Sequence, residues 1–342
     1  MRAWLLRRTG APSVLRLTEA PDPAPAAGQV SVRVEAIGIN YAEVLSRKGL
    51  YGWAPKRPYI PGMEAVGVVE ALGPGATRRR IGERVICGMQ YGAYAESVVV
   101  DEARALPALE GFSLEENAAY AVNFMTAWVG LVEMARLRAT DRVGITAAAG
   151  GVGTAAVQIA ASHGCDVLAM ASTESKLDRV RPLGATGTVA YGGPDFVDLL
   201  AEATAGRGLD VVLETVGGEV YRACLSRLAP FGRLVVAGYA GLDYSIWNPL
   251  SWWRAWRGAP RVDVMKAAMA STGVMATHIG YLLPDEDRLL RVWTELTDFT
   301  RAHGLRPVVG RTFGFDELPE AHELMESRQS VGKLVVLTDS AR

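Results

Sequence analysis

The stretch RVGITAAAGGVGTAAVQIAASHGCDVLAMAST, residues 142 to 173, decides the fold. A β-branched apolar run feeds directly into Ala148-Ala149-Gly150-Gly151-Val152-Gly153, an alanine-rich helical segment follows, and a second apolar run, DVLAMA, closes the unit. Strand, turn, helix and strand thus fall within the roughly 30 residues of a dinucleotide-binding βαβ unit. Each residue type has a physical task there. Gly150 and Gly151 let the backbone approach a pyrophosphate, and Gly153 lets helix and strand pack closely. The amides that open the helix around Val152 offer donors to phosphate oxygens. Ala148 stands where the usual fingerprint has its first glycine.

Downstream of this unit, the runs GTVAY, DVVLET and RLVVAGY alternate with helix-like segments. With the two strands already named they make five, and such alternation predicts an α/β domain with a doubly wound parallel sheet. Upstream, SVRVEAIGI, AVGVVEAL, ERVICGM and ESVVV are short β-branched runs between glycine and proline turns, the pattern of a β-rich domain. Two domains suit a chain of 342 residues. The apolar stretch from Ala118 to Val132 is interrupted by Asn123 and Thr126 and falls short of a bilayer span, so it is expected as a buried helix. After Tyr244 the pattern becomes irregular and tryptophan-rich, and the final run KLVVLT is expected to rejoin the first domain as a closing strand.

Composition excludes several classes. Thirty-six basic residues against 37 acidic ones give a formal net charge of -1, with no global field to draw nucleic acid or anionic lipid. Cys87, Cys165 and Cys224 are odd in number and lack a CxxC pair, which argues against a disulfide framework and points to a reducing cytoplasm. The N-terminal apolar run, Ala3 to Leu6, is too short for a signal peptide. Histidines 163, 278, 303 and 322 show no metal-ligand spacing and read as structural, with His278 the least settled.

Cofactor choice turns on the end of the second strand, where an NAD-binding chain wants a carboxylate for the ribose 2'-hydroxyl. Here Ala171-Ser172-Thr173 are followed by Lys176. Hydroxyls and a cation suit a 2'-phosphate, which favours NADPH; Glu174 argues the other way, and Lys176 reads equally as a solvated helix residue.

Nearly the whole chain resembles the quinone oxidoreductase group of the medium-chain dehydrogenases/reductases, in particular the branch of the vesicle amine transport protein homologue. The segments that carry the likeness are GINYAEVLSRKGLYG (38 to 52), PYIPGMEAVGVVEALGPG (58 to 75), AAYAVNFMTAW (118 to 128), TAAAGGVGTAAVQ (146 to 158), Trp252 and Trp253, THIGYL (277 to 282) and VGKLVVL near the end. The resemblance implies a GroES-like catalytic domain over residues 1–120, completed by about 266–342. It further implies a Rossmann NADPH-binding domain over 121–265 and an active site in the cleft. By the same resemblance Lys176, Tyr191 and Arg328 hold the 2'-phosphate. Asn40 and Met63 stand where zinc-dependent relatives carry cysteine and histidine ligands, so the reaction is expected to run without zinc.

Asn40, Tyr51 and Thr126 match positions that line the nicotinamide pocket in similar proteins, and each also reads as an ordinary structural residue. Asn40 can bond the substrate carbonyl or the cofactor ribose, Tyr51 can donate a proton or cover the pocket, and Thr126 can fix the nicotinamide face. Gly238 and Tyr239 are expected beside the nicotinamide amide. Glu43 departs from the aspartate common there in quinone reductases but keeps its acidity. The resulting expectation is a zinc-independent, homodimeric, cytoplasmic NADPH-dependent reductase of quinones or α,β-unsaturated carbonyls. The alternative is an NADPH-binding scaffold or membrane-peripheral protein with little turnover, for which the four tryptophans and three arginines between Trp247 and Arg261 leave room. An RNA-binding role, as in some lens-crystallin relatives, lacks a basic patch.

Overall fold

The computed structural model describes residues 1–241 and 261–341; the Trp247 to Trp256 segment singled out above lies outside them. The chain divides into two units, Met1–Val122 with Gly280–Arg342, and Asn123–Ile279.

The first unit opens with an antiparallel hairpin of β1 (Arg2–Leu6) and β2 (Leu15–Glu19). β3 (Gln29–Ile39) is a long, almost wholly buried strand that leads into α1 (Tyr41–Lys48). β4 (Glu64–Leu72), β5 (Arg84–Gly88), β6 (Ser97–Asp101) and β7 (Ala105–Pro107) follow, then the short α2 (Leu114–Ala118). β3 pairs antiparallel with both β4 and β6. The expected buried helix is α3 (Ala121–Trp128), prolonged by a π-helical stretch, Val129–Met134.

The second unit is the predicted parallel sheet. β8 (Arg142–Ile145), α4 (Gly151–Ser162) and β9 (Asp166–Ala171) form the βαβ unit read from the glycine segment. α5 (Glu174–Asp178), β10 (Gly187–Ala190), α6 (Phe196–Ala203), β11 (Leu209–Glu214), α7 (Gly218–Ser226) and β12 (Leu228–Val236) continue the alternation. α8 (Val264–Ala270) and β13 (Gly273–Ala276) complete it. The strand order is β10-β9-β8-β11-β12-β13 and every pair is parallel. The order reverses between β8 and β11, the switch point where open α/β sheets take their ligands. One side of the sheet is sealed by Leu168, Met170, Val212 and Leu234 against Phe196, Leu200, Tyr221 and Cys224.

The chain then returns to the first unit through α9 (Glu286–His303), β14 (Val309–Gly314), α10 (Leu318–Glu326) and β15 (Lys333–Leu337). β15 lies antiparallel on β3, with Val336 opposite Ile37, so KLVVL is the closing strand expected from its pattern. The first unit's sheet runs β14-β15-β3-β4-β5-β7, with β6 also on β3. Its core gathers Val32, Val34, Ile37, Val85, Tyr94, Phe313, Phe315 and Leu334.

Two details differ from the sequence reading. A sixth strand, β13, extends the parallel sheet, and because it pairs in register with β12, the second unit reaches Ile279 rather than ending near residue 265.

Candidate functional site

The candidate residues fall on both units, and each group is built by its own unit. In the second unit the turn between β8 and α4 is drawn tight: Gly150 donates its amide to the Ala147 carbonyl at 2.8 Å, and Ala147 itself takes φ +45. A Cβ on Gly153 would lie 2.2 Å from the Ala147 oxygen, and one on Gly151 would lie 2.4 Å from Asn123 Nδ2. Both glycines are therefore required by the protein's own packing. Gly150 differs, because a Cβ there meets only the Ala147 oxygen, at 3.3 Å. Bare backbone faces open space just where α4 begins, and the amides of Gly151, Val152 and Gly153 belong to a first turn with no intrahelical acceptors. Such a cradle fits a pyrophosphate.

Ser172, Lys176 and Tyr191 are gathered at the carboxyl ends of β9 and β10. The Tyr191 amide donates to the Ala171 carbonyl at 2.8 Å, and a Cβ on Gly192 would lie 2.1 Å from the Ser172 carbonyl. The Tyr191 ring meets Phe196 edge-on at 6.1 Å. Thr173 caps α5 by accepting from the Lys176 amide, and partial burial lowers the Lys176 ammonium below its ordinary pKa. Glu174, the residue that argued for NAD, is ion-paired with Arg181 at 3.1 Å on the surface. Thr126 is buried in α3. Gly238 and Tyr239 follow β12; Tyr239 is exposed, and a Cβ on Gly238 would come no nearer than 3.5 Å to a neighbour, so packing does not demand that glycine. Arg328 belongs to the first unit, just past α10.

In the first unit, Asn40 caps α1 and sits in a buried polar cluster. Its Nδ2 faces Glu64 Oε1 at 3.1 Å, Glu43 Oε1 at 3.2 Å and the Gly38 carbonyl at 3.3 Å, while its Oδ1 accepts from Lys333 Nζ at 2.6 Å. Carboxylates on one side and an ammonium on the other fix which way the amide points. Both amide hydrogens are engaged, so the capacity left to Asn40 is an acceptor's: the second lone pair of Oδ1. Lys333 also pairs with Glu64, and Glu64 accepts from the Val122 amide at 3.0 Å.

Glu43 accepts from the Asn40 amide (2.6 Å), the Met63 amide (2.9 Å) and Tyr94 Oη (2.9 Å). Burial pushes its carboxyl up to about 7 despite those bonds and nearby Lys333. Tyr94 Oη in turn lies 2.9 Å from His322 Nε2. Burial, reinforced by Arg47, drops the His322 imidazole to about 3, so it is neutral. Tyr51 is half-buried nearby in sequence, and burial together with the negative Glu43 raises its phenol to about 12. It stays protonated and can donate. Among the described residues, no group of three or more His, Cys, Asp or Glu could hold a metal ion, and no helix is long and apolar enough to cross a membrane.

The sequence matches the alcohol dehydrogenase GroES-like domain over residues 26–110 and the zinc-binding dehydrogenase family over residues 183–336. It is 31% identical over 340 residues to the synaptic vesicle membrane protein VAT-1 homologue of Rattus norvegicus, spanning 98% of this chain and 84% of that protein. The chain belongs to the quinone oxidoreductase group of the medium-chain dehydrogenases/reductases, beside the VAT-1 homologues. Solved members of the group superpose over nearly its full length. The quinone oxidoreductase of Thermus thermophilus, described with its NADPH complex, is 36% identical, with a TM-score of 0.80 over 98% of this chain and 100% of that one. The human VAT-1 homologue-like protein is 28% identical, with a TM-score of 0.84 over 99% and 98%.

In this quinone oxidoreductase relative the sequence reading missed Glu64, Tyr94, His322 and Lys333. Two of them carried a signal: a glutamate opening the apolar run EAVGVV and a lysine opening KLVVL are charges at the starts of buried strands, which require partners. Tyr94 and His322 carried none, because their roles depend on contacts between distant parts of the chain.

Proposed function

We propose that this oxidoreductase uses NADPH to reduce a quinone or an α,β-unsaturated carbonyl, without zinc and as a homodimer. In this reading the turn at Gly150, Gly151, Val152 and Gly153 holds the pyrophosphate, Ser172, Lys176, Tyr191 and Arg328 hold the 2'-phosphate, and Thr126, Gly238 and Tyr239 flank the nicotinamide. NADPH, when bound, supplies the hydride. The residues of this chain position it, exclude water and satisfy the charge that develops on the acceptor.

The observation that carries the reading is the donor set of the first unit. Asn40 has no amide hydrogen to spare, and the ionisable donor among the candidates, Tyr51, is a phenol held at about 12. Asn40 therefore serves as acceptor for a hydroxyl such as the cofactor ribose, and Tyr51 or water donates to the substrate oxygen. So modest a donor is poorly matched to an isolated ketone, whose oxyanion forms abruptly and needs strong stabilisation. In a conjugated acceptor the incoming charge spreads to an oxygen as it arrives, and a proton from Tyr51 or water completes the reduction.

NADPH oxidation against quinones, enones, saturated ketones and secondary alcohols tests this, with chelator present in one arm. Turnover is expected for the conjugated acceptors alone and is unaffected by EDTA; robust alcohol oxidation with NADP⁺ would overturn it. NADPH should bind more tightly than NADH, and Lys176→Ala should erode that preference by about 1–3 kcal/mol, the range for a charged hydrogen bond. Equal affinities for the two cofactors in a titration would refute the assignment. The names of the VAT-1 relatives favour a second reading, an NADPH-binding scaffold at membranes, which predicts binding without turnover in the same assay.

A further inference from the structure

Tyr94 and His322 lie outside every role assigned so far, yet both are fully buried and polar. Tyr94 Oη stands 2.9 Å from Glu43 Oε2 and 2.9 Å from His322 Nε2, and it has one hydrogen to give. Above about pH 7, where Glu43 is ionised, its carboxylate is the stronger acceptor, so that hydrogen goes to Glu43. Nε2 must then carry its own hydrogen and donate it to the phenol oxygen, which leaves Nδ1 bare. A second observation agrees: His322 Nδ1 is buried without a hydrogen-bond partner among the described residues. A lone pair left there costs less than an unpaired N–H would.

We infer that Tyr94 and His322 are positioning residues for the reduction: the one-way chain His322 Nε2–H to Tyr94 Oη–H to Glu43 Oε2 keeps Glu43 an acceptor and thereby fixes the orientation of Asn40. This rests on the reductase reading above. The charged and titratable groups around Glu43 come from several elements: Lys333 of β15, Glu64 of β4, Tyr51 and Tyr59 of the loop after α1, Tyr94 of the loop before β6, and Arg47 of α1, which acts on Tyr94 and His322. Among them Tyr94 is the side chain that meets Oε2 directly. Without its hydroxyl, Oε2 keeps only the Asn40 amide, and the carboxyl takes up a proton more readily. A protonated Glu43 presents a hydrogen where Asn40 now sends its own.

Three variants and one spectrum of the intact protein decide the matter. In Tyr94→Phe, which keeps the ring, the acid limb of kcat with a quinone acceptor moves up by about one pH unit, as expected for a carboxylate that loses one donor. His322→Leu, which removes the donor one step back, moves the limb in the same direction. His322→Gln offers an N–H in its place and restores the limb toward its original position. Unmoved limbs in Tyr94→Phe and His322→Leu, or a limb in His322→Gln that matches the leucine variant, overturn the inference. Nitrogen-15 spectra of the wild type decide it independently of any variant's folding: the neutral Nε2–H tautomer of His322 is expected, and the Nδ1–H tautomer overturns the chain. If the wild type turns over none of the acceptors, the reductase reading fails; if it turns over and the limbs stay put, this inference alone fails.

Discussion

Arg328 shows at the residue scale how conformation and chemistry can pull apart. It follows α10 with φ +59, the left-handed region that commonly ends a helix and is usually given to glycine. An arginine there carries a backbone cost of roughly 1–2 kcal/mol that a glycine would not. Its side chain is thus the reason to look for a role, and a cation for the 2'-phosphate is the role proposed. Arg328→Gly separates the two effects. Relief of strain is set against a looser unfolded chain and the loss of the side chain's own contacts, so stability read by denaturant unfolding should change by no more than ~1 kcal/mol. NADPH affinity should fall while NADH affinity stays where it was. A variant that loses stability and keeps its cofactor preference would show that Arg328 serves the fold instead. Ala147, with φ +45 in the turn between β8 and α4, is in the same strained region, but a methyl group offers no such chemistry.

At the scale of elements, the junction of β8 and α4 separates the glycines that packing demands, Gly151 and Gly153, from Gly150, which packing does not demand and for which a pyrophosphate contact is proposed. A Cβ on Gly153 would meet only backbone atoms, the Ala147 oxygen at 2.2 Å and the Ala148 Cα at 2.6 Å, so Gly153→Ala must push α4 off the turn. The expected cost is about 1–3 kcal/mol of stability together with loss of NADPH binding. Gly150→Ala is the control: its Cβ finds open space beyond one contact at 3.3 Å, so the fold should hold while NADPH affinity falls. Two variants with equal unfolding midpoints would count against this division. The same junction explains how much was legible in the sequence. β8, α4 and β9 are local, periodic and joined by glycines with fixed tasks, and they read correctly from one window. β15 was legible because KLVVL is a buried run. β13 was not: GVMA is a four-residue, half-exposed edge strand beyond the point where the sequence pattern becomes irregular, so neither length nor alternation marks it. Asn40 and Tyr51 were legible as residue types at recognisable places. What Asn40 can offer was not, since its amide hydrogens are claimed by Glu64, distant in sequence, and by Glu43, and its oxygen by Lys333, close to the other end of the chain.

For the molecule as a whole, that return of the C-terminal segment couples stability to pH. β15 brings Lys333 to Asn40, and α10 brings His322 to Tyr94, so the first unit's buried cluster exists only once the two ends of the chain have met. The cluster holds two groups displaced in opposite senses. His322 sits at about 3, against 6.5 when exposed. Between those values the unfolded chain binds a proton that the folded one refuses, so stability is lost as pH falls through that window. Glu43 sits at about 7, against 4.5. Between those values the folded chain holds the extra proton, so stability is lost as pH rises. From about pH 6.5 to 4.5 the two slopes oppose each other, each at most ~1.4 kcal/mol per pH unit for one proton. Below 4.5 only the histidine slope remains, and the cluster's contribution should fall away. Comparing wild type with His322→Gln by chemical unfolding at stepped pH isolates that term, because glutamine does not titrate. The variant should gain on the wild type steadily as pH drops from 6.5 toward 3. A difference that stays flat across that range would mean that His322 is not held neutral in the folded protein, and that the cluster closing the first unit is organised differently.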